Sequence, residues 1–490
     1  MQKTNRIYII GAGFAGASIA AEIRRKGILG VVVAFLDDDQ EKIGTRIDGI
    51  PVLGPINDVI ALLHSTPADE ALIAMPGVGP DRLKQIYLLL LRAGFARVRI
   101  LPDVAQLVDG EAHLVQTREI DPEDLLGRTP VRINLRESLA YLRGRRVLIT
   151  GAGGSIGSEL ARQLLSGGAE RLFLFDHCEN AVYEVERELR MLQDEGIGDH
   201  ATVVPVVGEL QDEDYTRFIL RRLRADVVFH AAAHKHVPMM EANPVEAIKN
   251  NVFGTEHLVG AAAAAHVRRF VMISTDKVVE PQSVYGASKR IAEQIVLSRN
   301  GFGGAFMVVR FGNVLGSSGS IIPLFRSQIL RGGPLTLTDP HTTRYFMTIS
   351  EAASLVLQAG GVGNAGELYI LDMGEPVRIR DLAEQMIRFY GFEPEQDIKV
   401  EVVGMRAGEK QHESLYEASE APEPTGHPRL NRVSGCRRSI ADLPLLIDGL
   451  RPVCFVDPAR PHEYRNRHRL RELLAAAIPT LGTPVDEPEY

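Results

Sequence analysis

Cysteine is scarce. Only Cys178, Cys436 and Cys454 occur in 490 residues, far apart and without metal-ligand spacing. No disulfide framework is needed, and a reducing, cytoplasmic location is expected. Basic charge is not in excess either: the net charge of -8 gives no field that would draw the chain to nucleic acid or anionic lipid, so neither partner is expected. Long apolar runs are also missing. No stretch approaches the roughly eighteen uncharged apolar residues of a spanning helix, and the alanine run in "HLVGAAAAAHV" is too short to cross a bilayer. The opening "MQKTNRIYIIGAGFAG" lacks the apolar region and cleavage site of a signal peptide and reads as the start of a domain. A peripheral membrane contact stays open.

What is present is a pattern used twice. "RIYIIGAGFAGASIAAEI" from residue 6 and "RRVLITGAGGSIGSELARQLL" from residue 145 each run from a β-branched strand through a glycine turn into an amphipathic helix. After the first come "VVVAFLDDD", "GIPVLG" and "EALIAMPG", the strand ends of a small α/β unit. After the second come "RLFLFD", "TVVPVVGEL", "DVVFHAAA", "RRFVMIST" and "FMVVRFGN", most separated by helical stretches. Buried runs alternating with helices predict parallel, doubly wound sheets that bind ligands at the carboxyl ends of the strands. The expected fold is therefore α/β with two Rossmann-like doubly wound parallel-sheet domains. Residues 1–125 form an N-terminal accessory domain, 126–144 a structured connector and 145–490 the larger domain. Past residue 316 the strand rhythm weakens and loops take over, which predicts a smaller substrate-binding lobe.

In "TGAGGSIG" the glycines Gly151, Gly154 and Gly157 lie between strand and helix, where backbone N–H groups and a helix N-terminus can receive a pyrophosphate. Asp176 ends the next strand and can bind adenosine ribose hydroxyls while repelling a 2′-phosphate, favouring NAD over NADP. A glycine turn made only for packing is the bland alternative. Gly11, Gly13, Gly16 and Asp37 repeat the fingerprint, giving a possible second nucleotide site or a Rossmann-like unit kept for assembly.

"STDKVVEPQSVYGASK", residues 274–289, concentrates the chemistry. Lys289 lies one helical turn past Tyr285, on the same face, and can lower the phenol's pKa. Asp276 and Lys277 have no place in that partnership; an acid–base pair or an ordinary surface ion pair are the two readings. His234, Lys235 and His236 follow the fourth strand, where they face either a diphosphate or only the loop itself. No metal is expected there, because carboxylate or cysteine partners are absent at matching positions.

The segments "TGAGGSIGSELARQLL", "FHAAAHKHVPMMEANPVEAIKNNVFGT", "STDKVVEPQSVYGASKRIAEQ", "RFGNVLGSSGSIIPLF", "TRYFMTISEAA" and "LDMGEPVRIRDLA" resemble the polysaccharide-biosynthesis branch of the extended short-chain dehydrogenase/reductases, whose members include UDP-N-acetylglucosamine 4,6-dehydratases. The sequence differs from many large members in lacking N-terminal transmembrane helices and in carrying Tyr285 where methionine is frequent. The resemblance implies an NAD-dependent nucleotide-sugar 4,6-dehydratase acting on UDP-N-acetylglucosamine, and a homo-oligomer. Hydride leaves carbon 4, the acidified hydrogen on carbon 5 is removed, water departs from carbon 6 and hydride returns there.

The roles follow from that resemblance. Tyr285 is the first base, needing its pKa moved from about 10 towards 7 (roughly 4 kcal/mol) by Lys289 and the cofactor's charge, with Thr275 on the same sugar hydroxyl. Asp276 protonates the leaving hydroxyl, and Lys277, in its neutral form, takes the carbon 5 proton. The expected cofactor contacts are Gly151, Gly154, Ser155, Ile156, Gly157, Asp176, Glu209, Leu210, Ala231, Ala232, Tyr285 and Lys289. Lys235, His236, Asn313 and Arg344 are expected to meet the nucleotide sugar, Arg344 through the diphosphate or else as a bridge between two loops. A 4-epimerase would leave Asp276 and Lys277 without a task, and a non-catalytic nucleotide-sugar sensor would leave all five catalytic side chains idle.

Overall fold

A computed structural model describes residues 5–27, 29–95, 97–101, 118–119, 139–198, 200–299, 303–317, 319–427, 429–435 and 439–481. The expected connector therefore lies outside the described residues as far as residue 138, as does Cys436. The chain divides into two units, Met1–Ile133 and Asn134–Tyr490.

In the first unit, β1 (Arg6–Ile10) is buried at every residue but its first, the continuous apolar signature of a strand covered on both faces. Helix α1 (Phe14–Lys26) follows the glycine turn and turns Ala15, Ile19, Ala20 and Ile23 inward at helical spacing. The rest of the main sheet and its second long helix are β2 (Val31–Leu36), β3 (Glu70–Ile73), α2 (Pro80–Arg92), β4 (Arg97–Ile100) and β5 (Arg118–Glu119). The sheet order is β2-β1-β3-β4-β5, parallel except for the last pair.

The second unit repeats the opening. β6 (Arg146–Thr150), α3 (Ser155–Ser166), β7 (Arg171–Asp176), α4 (Glu179–Asp194), β8 (Thr202–Val207), α5 (Glu213–Leu223) and β9 (Val227–His230) come first. Then come α6 (Gly254–Ala264), β10 (Arg269–Thr275), α7 (Val284–Leu297), β11 (Ala305–Phe311), α8 (Ile349–Val362) and β12 (Leu368–Leu371). The order reverses between β6 and β9, which opens a ligand crevice at the carboxyl ends of both strands.

Beyond residue 316 the structure departs from the sequence reading. β12 joins the main sheet in parallel, and β13 (Glu420–Pro424) and β14 (Leu430–Gly435) close its edge in antiparallel order, giving a 9-stranded sheet β8-β7-β6-β9-β10-β11-β12-β14-β13. These late strands were hidden because β13 reads "EAPEP", charged and proline-rich, as an edge strand tolerates. The smaller lobe is built from the helices Ile321–Leu330 and Ile379–Phe389 and the paired strands Leu335–Leu337 and Val400–Val402. Among the described residues no helix is long and apolar enough to cross a membrane.

One buried charge network ties these parts together. Arg310 on β11 is the largest fully buried side chain. Its Nε and Nη2 donate to Glu293 of α7 at 3.2 and 2.9 Å, and its Nη1 donates to Glu420 of β13 at 2.9 Å and to the Leu415 carbonyl at 3.0 Å. One turn back on α7, Arg290 pairs with Glu417 at 2.9 Å. Burial would push the Glu293 carboxyl up, but the Arg310 guanidinium holds it below its ordinary value. Arg310→Met leaves two carboxylates buried without their cation and is expected to destabilise the larger unit by about 3–5 kcal/mol. Denaturant unfolding followed by a probe in that unit checks this; a loss below about 1 kcal/mol would refute it.

Candidate active site

Thr275 ends β10, so its side chain stands at the carboxyl edge of the sheet. The chain then makes one tight turn over Asp276–Val278 and enters α7 through Ser283, whose hydroxyl accepts from the Gly286 N–H at 3.1 Å as an N-cap. Gly286 is required by close approach: a Cβ there would stand 2.3 Å from the Lys277 carbonyl oxygen. The helix can therefore press Tyr285 against the turn that carries Asp276 and Lys277.

Four of the five expected catalytic side chains meet there. The Thr275 hydroxyl donates to Asp276 Oδ1 at 2.9 Å, and Lys277 Nζ donates to the same oxygen at 2.9 Å and to Asn313 Oδ1 at 3.2 Å. Asp276 is fully buried, and its Oδ2 has no hydrogen-bond partner. A Cβ on the neighbouring Gly312 would come within 3.3 Å of that oxygen. A buried carboxylate oxygen left unpaired is costly unless a ligand group completes it.

The electrostatics correct two expectations. Lys277 was expected to have a lowered pKa. Burial does press it down, but the negative charges of Asp276 and Glu413 outweigh burial and leave it raised. Lys289 was expected to lower the Tyr285 pKa. Burial pushes the phenol up; Lys277 and Thr275 oppose that rise, and Asp276 and Glu413 add to it. Lys289 instead donates to the Ile273 carbonyl at 2.8 Å, and burial, opposed by Glu293, pushes its pKa down to about 8.

The expected dinucleotide contacts gather at the crevice. Gly151 adopts φ +68°, the left-handed turn that suits glycine, and Ser155, Ile156 and Gly157 form the first turn of α3. Gly154 is exposed, and a Cβ there would meet only the Gly151 carbonyl at 3.2 Å, which leaves its outer side open to a phosphate. Asp176 Oδ2 accepts from the Gly153 N–H and Oδ1 from the Cys178 N–H, both at 3.0 Å, so its carboxylate is fixed beside the turn. Ala231 and Ala232 follow β9, while Glu209 and Leu210 follow β8. The residues present fit a dinucleotide.

The substrate candidates divide. Asn313 touches Lys277 directly. Desolvation and then the charge of Lys277 lower the Lys235 pKa. The ring of His236 packs on Gly319. Arg344 donates to the carbonyls of Thr343, Lys410 and Gln411 at 2.7, 2.7 and 3.0 Å, which is the loop-bridging alternative. Among the described residues no group of three or more histidine, cysteine or acidic side chains could hold a metal.

Two residues escaped sequence reasoning. Asn251 accepts from the His234 N–H at 2.8 Å and donates to the His234 carbonyl at 2.9 Å and to Ser288 Oγ at 3.0 Å, fixing the loop after β9 to α7. Glu413, in a distant loop, is a buried carboxylate 3.7 Å from Lys410 Nζ. In the first unit, Asp37 Oδ2 accepts from the Ala12 N–H at 2.7 Å and from Lys42 Nζ at 3.3 Å, beside Gly11 at φ +104° and with Gly13 and Gly16 flanking the start of α1.

Residues 147–434 match the family described as "Polysaccharide biosynthesis protein", and residues 1–102 match one described as "CoA-binding domain". The capsular polysaccharide biosynthesis protein CapD of Staphylococcus aureus is 40% identical over 416 residues, covering 84% of this chain and 68% of that protein. A UDP-N-acetylglucosamine 4,6-dehydratase (inverting) of Campylobacter jejuni is 30% identical over 284 residues, 57% of this chain and 79% of that one. A UDP-glucose 4-epimerase of Rickettsia canadensis is 34% identical over 255 residues, 51% of this chain and 73% of that one. The X-ray structure of Pen from Bacillus thuringiensis superposes with a TM-score of 0.54 at 29% identity, over 61% of this chain and 90% of that one. The chain belongs to the polysaccharide biosynthesis protein family, within the extended short-chain dehydrogenase/reductases that include nucleotide-sugar dehydratases and epimerases.

Proposed function

We propose that the protein is an NAD-dependent nucleotide-sugar 4,6-dehydratase acting on UDP-N-acetylglucosamine. The observation that carries this reading is the buried Asp276–Lys277 contact of 2.9 Å beside Tyr285, with Asp276 Oδ2 unpaired. NAD, when bound, supplies the hydride acceptor for carbon 4 and the hydride donor for carbon 6.

Tyr285 takes the proton of the carbon 4 hydroxyl, with Thr275 positioning that hydroxyl. Elimination then needs a proton delivered to the carbon 6 hydroxyl and another removed from carbon 5. The two groups share one proton in their resting ion pair. Moving it from the Lys277 ammonium to the Asp276 carboxylate yields a neutral amine and a carboxylic acid, the two forms that elimination uses. Lys277 then accepts the carbon 5 proton, Asp276 gives its own to the departing water, and the ion pair is restored. Asp176 favours NAD by receiving ribose hydroxyls where a 2′-phosphate would meet its charge. Asn313, Lys235 and His236 face the nucleotide sugar. In the first unit, Gly11, Gly13, Gly16 and Asp37 offer an accessory nucleotide site with no catalytic side chain beside it. The 34% identity to an epimerase keeps 4-epimerisation as the second reading, in which Asp276 and Lys277 move no proton.

Incubation with UDP-N-acetylglucosamine in deuterated water is expected to give a product lighter by one water and carrying deuterium at carbon 5. An isomer of unchanged mass with no solvent deuterium would establish epimerisation instead. Lys277→Ala is expected to slow dehydration by at least about 100-fold, the usual contribution of a general base; near-normal dehydration by this variant would remove Lys277 from the mechanism. Calorimetry is expected to show NAD binding at least about tenfold more tightly than NADP, and Asp176→Asn narrowing that gap. Equal affinities in the unaltered protein would contradict the role given to Asp176.

A further inference from the structure

The catalytic helix is held at its start by the far end of the chain. The first N–H groups of an α-helix have no intrahelical partner; in α7 Ser283 takes that of Gly286, and Glu241 Oε1 accepts that of Val284 at 2.7 Å. Glu241 lies in the short helix Val237–Ala242, directly after Lys235 and His236. Its other oxygen, Oε2, accepts from Arg471 Nη2 at 3.0 Å, and the two side chains are only 10% and 8% exposed. Arg471 belongs to the helix Arg467–Ala477. One turn earlier on that helix, Arg467 Nη2 donates to the Ala242 carbonyl at 2.7 Å and to the Glu241 carbonyl at 3.3 Å, where the short helix runs out of intrahelical donors. Past its end, Thr480 Oγ1 donates to the Pro281 carbonyl at 2.9 Å, between the catalytic turn and α7. Gly408 packs on the same spot: a Cβ there would stand 2.8 Å from Ser283 Cβ and 3.3 Å from Glu241 Oε1. All these contacts converge on the entry to the helix that carries Tyr285.

We propose that Arg471 is a positioning residue for Tyr285, acting through Glu241 on the first turn of α7. Its consequence rests on Tyr285 being the base of the proposed reaction, a role that 4-epimerisation shares; the contacts themselves do not. The terminal torsion of a glutamate is broad, so a carboxylate held by one bond can turn. Here one oxygen meets the Arg471 cation and the other the Val284 N–H, and a turn of the carboxylate breaks both bonds. The charge also sits at the helix N-terminus, where the helix dipole favours it. Without Arg471 the nearly buried carboxylate lacks its cation and is drawn towards other donors, and Val284 loses a fixed acceptor. Tyr285 is the next residue. A displacement of its phenol by about 1 Å is enough to slow a reaction by about 100-fold. The plainer role for Arg471 is to attach the terminal helices to the domain. Arg451 of the preceding helix Leu443–Cys454 has that role alone, pairing with Glu256 of α6 at 2.9 Å, and so supplies the control.

The test combines kinetics with hydrogen exchange on the full-length protein. With UDP-N-acetylglucosamine, Arg471→Met is expected to lower kcat by about tenfold or more while KM stays within about twofold, because alignment is lost in the chemical step. Arg471→Lys, which keeps a cation near Oε2, is expected to restore most of kcat. Arg451→Met, which loosens the same terminal helices away from Glu241, is expected to leave kcat within about twofold. Adding Arg471→Met to Glu241→Gln is expected to cost less than about a further twofold, since both act through one path. An unchanged kcat in Arg471→Met, an equal loss in Arg451→Met, or multiplying losses in the double variant overturns the proposal. Exchange is read by mass spectrometry on peptides covering residues 280–288 and 289–297. Arg471→Met is expected to quicken exchange in the first by about tenfold and to leave the second within about twofold, and equal changes in both overturn the proposal. If Arg471→Met does not fold, Arg471→Lys decides: its shorter cation is expected to quicken exchange in the first peptide by about two- to threefold, and an unchanged rate overturns the proposal. No turnover by the unaltered protein, together with the expected exchange difference, would sink the dehydratase reading and leave the hold of Arg471 and Glu241 on α7 standing.

Discussion

The architecture of this site depends on burying a guanidinium. Arg310 sits in the interior between Glu293 and Glu420 and also holds the Leu415 carbonyl. Such a group is tolerable only when nearly all its donors are met, and satisfying them forces three separated stretches of chain together. Helix α7 supplies Glu293, and the same helix presents Tyr285 and Lys289. The segment around Leu415 and Glu420 is drawn against that helix, with Arg290 and Glu417 forming a second grip. Once this segment is fixed, Glu413 has little choice of position. A network with no place in the chemistry thereby aligns the phenol, the acid–base pair and the loop that covers them.

A second constraint acts at the start of α7. Asp276 and Lys277 are adjacent in sequence, and adjacent residues ordinarily point to different sides of an extended chain. The short turn after β10 removes that restriction and lets Lys277 fold back onto Asp276 Oδ1, where the Thr275 hydroxyl also arrives. Gly286 then permits the helix to close over the Lys277 carbonyl. Every ionisable group added to this pocket shifts the others, which is why the pKa of Lys277 ends above its ordinary value although burial alone would lower it.

Much of this was legible in the sequence wherever the cause is local. The two strand–glycine–helix openings follow from hydrophobic period and backbone freedom within about twenty residues, and both appear as parallel sheets in the structure. Thr275, Asp276, Lys277 and Tyr285 were found because one strand end and one helix start hold them all. The late strands were not legible, since β13 owes its place to Arg310 and to pairing with β14 rather than to apolar alternation. Glu413 was invisible for a similar reason: nothing in "GEKQHESL" distinguishes a buried carboxylate from one in water. The expected lowering of the Lys277 pKa came from the role that the resemblance implies, whereas in the structure the charge of Asp276, and after it that of Glu413, raises it.

That reversal bears on why an acid and a base can share one turn. A carboxylate and an amine in contact reach their lowest free energy as an ion pair, the form with the wrong proton on each for elimination. Separating them would leave each with a more suitable pKa but would lose the short path between carbons 5 and 6. Keeping them in contact requires the ion-pair and neutral forms to lie close in free energy, because each unit of mismatch costs about 1.4 kcal/mol of the active form. Burial works towards that balance, since a low dielectric penalises two charges more than a neutral pair. The unpaired Asp276 Oδ2 works the same way, for a carboxylate lacking one donor partner is less well stabilised than a fully hydrogen-bonded one. The ion pair is therefore the favoured resting form, and in the proposed reaction burial and the unpaired oxygen narrow the gap that the proton must cross to reach Asp276.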